Sequence, residues 1–178
     1  ADGMGGHRAG DYASRLCVET MVQSLEKSAH KTPVSLFEEA VTAANKAVFE
    51  ESASHVEYEG MGTTVVACTL EENTLYIANI GDSRLYLIRD GIEQITDDHS
   101  LVEEMVKQGN ITESEARIHP QKNIITRALG INEEVQADFF EIDVEQGDVI
   151  MLCSDGLSNM IEDEDMEYIV KNSDTLQT

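Results

Sequence analysis

The sequence has few positive charges and few residues that stiffen or cross-link a chain. It contains no tryptophan, two prolines and three cysteines, and 12 lysine and arginine residues stand against 35 aspartates and glutamates. The formal net charge of −23 disfavours partners such as nucleic acid or an anionic membrane surface, because both would be repelled. No apolar run approaches the ~20 residues of a membrane-spanning helix. We therefore expect no nucleic-acid partner and no membrane partner.

The three cysteines are Cys17, Cys68 and Cys153, and none has the Cys-x-x-Cys spacing of a metal or redox site. An odd number of cysteines in separate apolar stretches favours free, buried thiols. Such thiols are typical of a reducing compartment, so we expect a cytoplasmic protein.

Helices are predicted near both ends of the chain and strands between them. The spacing of apolar residues predicts helices over residues 12–27, 34–53 and 162–171. Apolar and β-branched runs predict strands over 63–70, 74–80, 85–88, 92–95, 135–142 and 148–153. Residues 99–130 are predicted to be an insert with two short helical pieces. Because strands follow one another without alternating helices, the predicted fold class is α+β, with antiparallel sheet covered by helices.

Three aspartates stand at positions where an unpaired negative charge would cost free energy of folding. Asp82 and Asp155 each follow an apolar strand, and Asp2 precedes a glycine in the opening ADGMGG. The strand before Asp155 is predicted to be buried on both sides, so its carboxylate must be neutralised, cap a helix or hold a cation. Singly, each aspartate is open between cap and ligand. Together, without His or Cys partners, they favour Mg²⁺ or Mn²⁺ over Zn²⁺.

Other interpretations of these features are weaker. The glycine-rich opening matches neither Gly-x-x-x-x-Gly-Lys-Ser/Thr nor Gly-x-Gly-x-x-Gly, which disfavours a nucleotide-binding loop. His7 is interpreted as structural or incidental, and Asp90-Gly91 as a turn. A cation-buffering protein, suggested by net charge alone, would need EF-hand-like acidic spacing, and no Asp-x-Asp-x-Asp-Gly loop occurs.

Six motifs occur in a recognisable order. They are DGMGGHRAG, EGMGTT (59–64), IGDSRLYLIRDG (80–91), DDHSLVEEMVKQGNIT (97–112), HPQKNIITRALG (119–130) and CSDGLSNM (153–160). Their order and spacing closely resemble those of bacterial metal-dependent Ser/Thr protein phosphatases of the type 2C (PPM) family, over nearly the whole chain. The resemblance implies an α-β-β-α sandwich of two antiparallel β-sheets flanked by helices. It also implies hydrolysis of phosphoserine and phosphothreonine monoesters.

The resemblance also implies a two-metal centre of Mn²⁺ or Mg²⁺. Asp2 resembles the bridging carboxylate, Gly3 a ligand through its backbone carbonyl, and Asp155 a ligand of the second metal. Asp82 resembles the acidic residue that helps to hold a weaker third metal. A water activated by the metals would attack phosphorus, so no side-chain nucleophile is expected. Met4 stands where eukaryotic relatives carry a His suggested as general acid, so the proton donor is not identified.

The resemblance further implies the partners and the role of residues 99–130. The partners would be phosphorylated proteins and a cognate Ser/Thr kinase, with the phosphatase acting as a monomer. Residues 99–130 resemble a flap beside the cleft. Its four bases could meet phosphate or acidic peptide, or serve solubility alone: Lys107, Arg117, Lys122 and Arg127.

Parts of the family pattern fall outside the sequence. An acidic metal-site residue and a phosphate-binding Arg are expected before Ala1, and an Asp-Asn motif beyond Thr178. We therefore expect residues 1–178 to be a single phosphatase domain truncated at both ends, with weak activity on its own. The alternative function is a catalytically silent, phosphatase-like regulatory or binding module.

Overall fold

The computed structural model describes residues 1–29 and 32–173. The side chain of His7, interpreted above as structural or incidental, lies outside that description. The helices are α1 (His7–Lys27), α2 (Pro33–Ser54), α3 (Leu101–Lys107), α4 (Glu113–Ile118), α5 (Asp155–Ser158) and α6 (Asp163–Lys171). The strands are β1 (Gly3–Met4), β2 (Gly62–Thr63), β3 (Val65–Glu71), β4 (Thr74–Ile80), β5 (Arg84–Ile88), β6 (Ile92–Gln94), β7 (Asp138–Asp143) and β8 (Val149–Cys153).

Two three-stranded antiparallel sheets pack face to face. The first has the order β3-β4-β7 and the second the order β6-β5-β8, while β1 and β2 form a small separate sheet. Leu75 and Ile77 of β4 meet Leu85 of β5 in the core between the two large sheets. A second core joins α1 and α2 to the other face of the first sheet, and α6 packs against β6. The expected α-β-β-α sandwich is confirmed.

The two long helices cover the first sheet. Thr32 caps α2 by accepting a hydrogen bond from the Ser35 amide, and Pro33 occupies the first helical position, where a missing N–H is harmless. Helix α1 begins five residues before its predicted start. Its first turn has the sequence HRAG and contains no bulky apolar residue, so the apolar spacing gives no signal there. Gly10 lets this turn approach β1, since a Cβ at Gly10 would lie 2.6 Å from the Gly3 carbonyl oxygen.

Three strand predictions need correction. The strand predicted over 63–70 is two strands, interrupted at Thr64. The strand predicted over 135–142 starts at residue 138. Just before it, the Gln136 carbonyl accepts a hydrogen bond from the Arg127 side chain at 3.1 Å. Strand β8 is not buried on both sides. It pairs with β5 alone among the described strands, and Leu152 is 42% exposed.

Within residues 1–29 and 32–173, none of the helices combines the length and the hydropathy that a membrane span requires. All three cysteines are free, as predicted. Cys17 is fully buried, whereas Cys68 and Cys153 are half-buried. Burial raises the pKa of the Cys17 thiol to about 12, so this thiol is a packing residue of the helical core.

Candidate metal centre

Asp2 is held in place by the residue that interrupts the predicted strand. The Thr64 hydroxyl accepts a hydrogen bond from the Asp2 amide at 2.9 Å, and the Thr64 amide donates to the Asp2 carbonyl at 2.9 Å. The Thr63 hydroxyl donates to the same carbonyl at 3.0 Å. The Thr64 backbone still bonds to Asp2, whereas Val65 already pairs with Ile80 of β4, so the chain passes from the small sheet to the first large sheet at that residue.

Thr64 also contacts the loop that carries Asp82. Its hydroxyl lies 2.7 Å from the hydroxyl of Ser83, in a buried hydrogen bond. Gly81, on the other side of Asp82, has φ +99. A Cβ at Gly81 would lie 2.6 Å from the Thr64 methyl carbon. Glycine is therefore required there both by the left-handed backbone and by the close approach.

Asp155, at the start of α5, lies beside Asp2. Ser154 occupies the N-cap position of α5, so Asp155 is the first helical residue rather than the cap. Its carboxylate accepts a hydrogen bond from Asn159 at 3.2 Å and lies within hydrogen-bonding reach of the Asp2 carboxylate. Asp2 and Asp155, predicted to share one site, therefore do lie together.

The site carries uncompensated negative charge. Burial, followed by the carboxylates of Asp155 and Asp98, raises the pKa of Asp82 to about 6. Burial and the neighbouring Asp2 also raise the pKa of Asp155. Arg84 lines the same cleft, but its Nε and Nη2 atoms donate to Asp98 at 2.9 and 2.7 Å. Oxygen donors with excess negative charge suit a hard divalent cation.

The described side chains do not close a metal site by themselves. In residues 1–29 and 32–173, no group of three or more His, Cys, Asp or Glu side chains is arranged to hold a metal ion. Asp2 and Asp155 form a pair, and Asp82 lies near enough for the charges of that pair to raise the pKa of Asp82. Ligands other than these side chains are therefore needed to complete a coordination shell, and the backbone carbonyl of Gly3 stands next to Asp2.

A cleft of about 380 Å³ opens from these carboxylates toward the 99–130 segment. Asp82 and Asp155 line one part of it. Val102 and Val106 of α3 and Ala116 of α4 line another. The cleft therefore joins the candidate metal centre to the two short helices predicted within the insert.

The four bases of the 99–130 segment differ in their pairing. Three have an acidic partner: Lys107 binds Asp97 at 2.8 Å, Arg117 binds Glu162 at 2.8 Å, and Arg127 binds Asp138 at 2.6 Å. Lys122 lines the cleft, and within the described part of the chain it forms no ion pair. Lys122 is thus the base of this set that is free to meet an anion.

Sequence reasoning found the carboxylates but missed the residues that hold them. Thr64, Ser83 and His99 are 4%, 2% and 7% exposed and make the hydrogen bonds that support the loops of the site. All three stand in the quoted motifs, yet none was given a role. For Thr64 the available signal was a polar residue directly before an apolar strand, where its side chain must find a buried partner. The positions of Ser83 and His99 carry no comparable signal in the sequence.

Comparison with known proteins places this site in context. Residues 1–177 match the family described as protein phosphatase 2C. The serine/threonine phosphatase stp of Listeria monocytogenes is 40% identical over 181 residues, covering 99% of this chain and 72% of that protein. The serine/threonine phosphatase Stp1 of Staphylococcus aureus superposes with a TM-score of 0.92 at 35% identity, over 99% of this chain and 71% of that one.

One further solved structure bears on the metal question. The catalytic domain of the serine/threonine protein phosphatase PstP, in complex with two manganese ions, superposes with a TM-score of 0.84 at 35% identity. The match covers 96% of this chain and 72% of that one. A protein with this architecture thus holds two manganese ions.

Proposed function

We propose, from the premise that this chain belongs to the protein phosphatase 2C family, that it hydrolyses phosphoserine and phosphothreonine monoesters at the Asp2–Asp155 site. It is a metal-dependent hydrolase of phosphoproteins. The observation that carries the proposed location is the meeting of the Asp2 and Asp155 carboxylates beside Asp82 at the head of the cleft. No observation favours a silent binding module.

The proposed ligands are Asp2 and Asp155 through their carboxylates, Gly3 through its carbonyl, and Asp82 for a weaker third metal. The operating ions are Mn²⁺ or Mg²⁺, which suit all-oxygen donors. When bound, a pair of such ions activates water as a nucleophile and neutralises phosphate oxygens. The chain's own contribution is to hold acidic groups together against their mutual repulsion. For Asp2, the Thr64 hydroxyl does this by accepting a hydrogen bond from the Asp2 amide.

The 99–130 segment is the proposed flap. Its helices form the wall of the cleft beyond the carboxylates, so a phosphopeptide entering the site would pass them. The Lys122 ammonium is free of acidic partners in the described structure, which supports a contact with the substrate's phosphate or acidic side chains. The Arg84 guanidinium also lines the cleft, but it is paired with Asp98, and we assign it a structural role.

The proposed partners are a cognate Ser/Thr kinase and the proteins that it phosphorylates, and the protein is proposed to act as a cytoplasmic monomer. Three free thiols support a reducing compartment. The net charge of −23 supports selection of protein substrates over nucleic acid, because a polyanion would be repelled.

The test is hydrolysis of phosphoserine and phosphothreonine peptides with and without Mn²⁺, together with Mn²⁺ binding by calorimetry. Asp155→Asn should lower Mn²⁺ affinity and turnover by more than the ~10–100-fold that loss of an outer partner of a metal ligand causes. The matched control is Asp90→Asn, because Asp90 also precedes a glycine but is exposed, with its Asp-Gly pair between β5 and β6. It should behave as wild type. Equal behaviour of the two folded variants would refute the assignment.

A further inference from the structure

His99 is a buried imidazole outside the proposed ligand set. Its Nδ1 atom accepts a hydrogen bond from the Gly81 amide at 2.9 Å. Its own backbone amide donates to the Gly81 carbonyl at 3.0 Å. His99 therefore binds both the amide and the carbonyl of Gly81, the residue directly before Asp82.

The second ring nitrogen faces Asp138 at the start of β7. Because Nδ1 accepts from an N–H, the proton of the ring lies on Nε2, which donates to the Asp138 carboxylate at 3.0 Å. Arg127 donates to the other oxygen of Asp138 at 2.6 Å and lies 3.0 Å from Nε2. Burial alone would raise the pKa of Asp138, but these hydrogen bonds outweigh it and lower the pKa, which keeps the carboxylate an acceptor.

The segment around His99 is fixed independently of the ring. The Asn79 side chain donates to the Asp97 carbonyl at 2.9 Å, and the Leu85 amide donates to the Thr96 hydroxyl at 3.0 Å. Both contacts join residues 96–97 to the strands on either side of the Gly81 loop. The backbone that carries His99 is therefore held in place by contacts other than those of its ring. Gly81, which the ring binds, has no side chain that could restrain its loop.

We propose that His99 is a positioning residue for the metal centre, which ties the Gly81 backbone, and through it the Asp82 carboxylate, to Asp138 on β7. This rests on the proposed role of Asp82 as a metal ligand. Metal-binding loops lose affinity when an outer hydrogen bond that orients a ligand is removed. His99 supplies such a bond and is not among the residues that line the cleft.

Two amide substitutions separate the two ring nitrogens. In His99→Asn the side-chain oxygen can take the place of Nδ1 and accept from Gly81, but the side chain is too short for Asp138. In His99→Gln the amide reaches the Nε2 position and Asp138, and the Gly81 amide loses its acceptor. We expect His99→Gln to raise the Mn²⁺ concentration for half-maximal binding and activation by about 10- to 100-fold. His99→Asn should remain close to wild type, and kcat at saturating Mn²⁺ should change little in either.

A readout without metal tests the contact directly. Hydrogen exchange of the Gly81 amide, followed by NMR in metal-free protein, should be slow in wild type and His99→Asn and faster in His99→Gln. Equal effects of both substitutions on Mn²⁺ affinity would overturn the proposal. So would an unchanged Mn²⁺ affinity in folded His99→Gln. If His99→Gln fails to fold, His99→Ala takes its place, because alanine also offers the Gly81 amide no side-chain acceptor, and an unchanged Mn²⁺ affinity in that variant would equally overturn the proposal.

The failure of this proposal is distinguishable from failure of the proposed function. Asp82→Asn should weaken Mn²⁺ binding if Asp82 is a ligand, whatever the role of His99. If Asp82→Asn is silent, the ligand assignment and the positioning role both fall. If Asp82→Asn weakens binding and His99→Gln does not, the positioning role alone falls.

Discussion

The hydroxyl of Thr64 is the most informative atom to remove, because it serves two acidic loops. Thr64→Val keeps the shape of the side chain and leaves both the Asp2 amide and the Ser83 hydroxyl without their partner. An unpaired buried donor costs ~1–3 kcal/mol, so the free energy of unfolding should fall by about 2–4 kcal/mol. Ser83→Ala should cost ~0.5–1.5 kcal/mol, because Thr64 still accepts from Asp2.

The double variant measures how much the hydrogen bond between Thr64 and Ser83 contributes to the free energy of unfolding. In Thr64→Val/Ser83→Ala only the Asp2 amide remains unpaired, so the loss should be about 1–3 kcal/mol, at least ~1 kcal/mol less than the sum of the single losses. The assay is urea unfolding followed by far-UV circular dichroism, since the chain has no tryptophan to report by fluorescence. Thr63→Val is the control: the Asp2 carbonyl that loses this hydroxyl still accepts from the Thr64 amide.

The outcome that contradicts this reasoning is additivity. If the two single losses add within error, Thr64 and Ser83 do not share a hydrogen bond that matters for stability. If Thr63→Val is as damaging as Thr64→Val, burial of a threonine rather than the link between Asp2 and Ser83 explains the effect.

Two further predictions concern the fold outside the centre. Gly130→Ala should lower the free energy of unfolding by about 2–4 kcal/mol, because φ is +88 and the new Cβ would lie 2.2 Å from Val48 Cγ1. Gly60→Ala, at φ +73 with open space around it, should show only the backbone strain of ~1–2 kcal/mol, and equal losses in urea unfolding would refute the clash. Arg89 holds the pKa of Asp148 at about 2, below its ordinary value, so this ion pair stabilises the fold above pH ~4 and the contribution is lost as the pH falls toward 2. In Arg89→Met the free energy of unfolding should therefore fall less between pH ~4 and 2 than it does in wild type. Parallel plots of the free energy of unfolding against pH for the two proteins would contradict this role of the ion pair.

The sequence was sufficient for features that depend on local pattern. The spacing of apolar residues in α2 and the apolar, β-branched run of β4 predicted elements close to those observed. Helix α2 has one apolar face, and β4 is apolar on both faces because it lies between the two cores. The candidate ligands Asp82 and Asp155 were found from their position after apolar strands. These signals are contained within a few neighbouring residues.

Features that depend on contacts between distant segments could not be predicted in this way. The break at Thr64 lies where the chain changes its partner strand from β1 to β4, and no local pattern contains that information. The exposure of Leu152 depends on which parts of the second sheet are covered by other elements. The role of His99 depends on Gly81 and Asp138 arriving on either side of one ring.

The carboxylates of the candidate centre come from all three sheets of the molecule. Asp2 precedes the small sheet, Asp155 follows the second large sheet, and Asp82 stands where the chain crosses from the first large sheet to the second. Cations held by these residues would be lost when the sheet that carries their ligand detaches. Ion occupancy would therefore report whether the entire sandwich is assembled, and a fall in the available divalent ion would loosen the molecule as well as silence it.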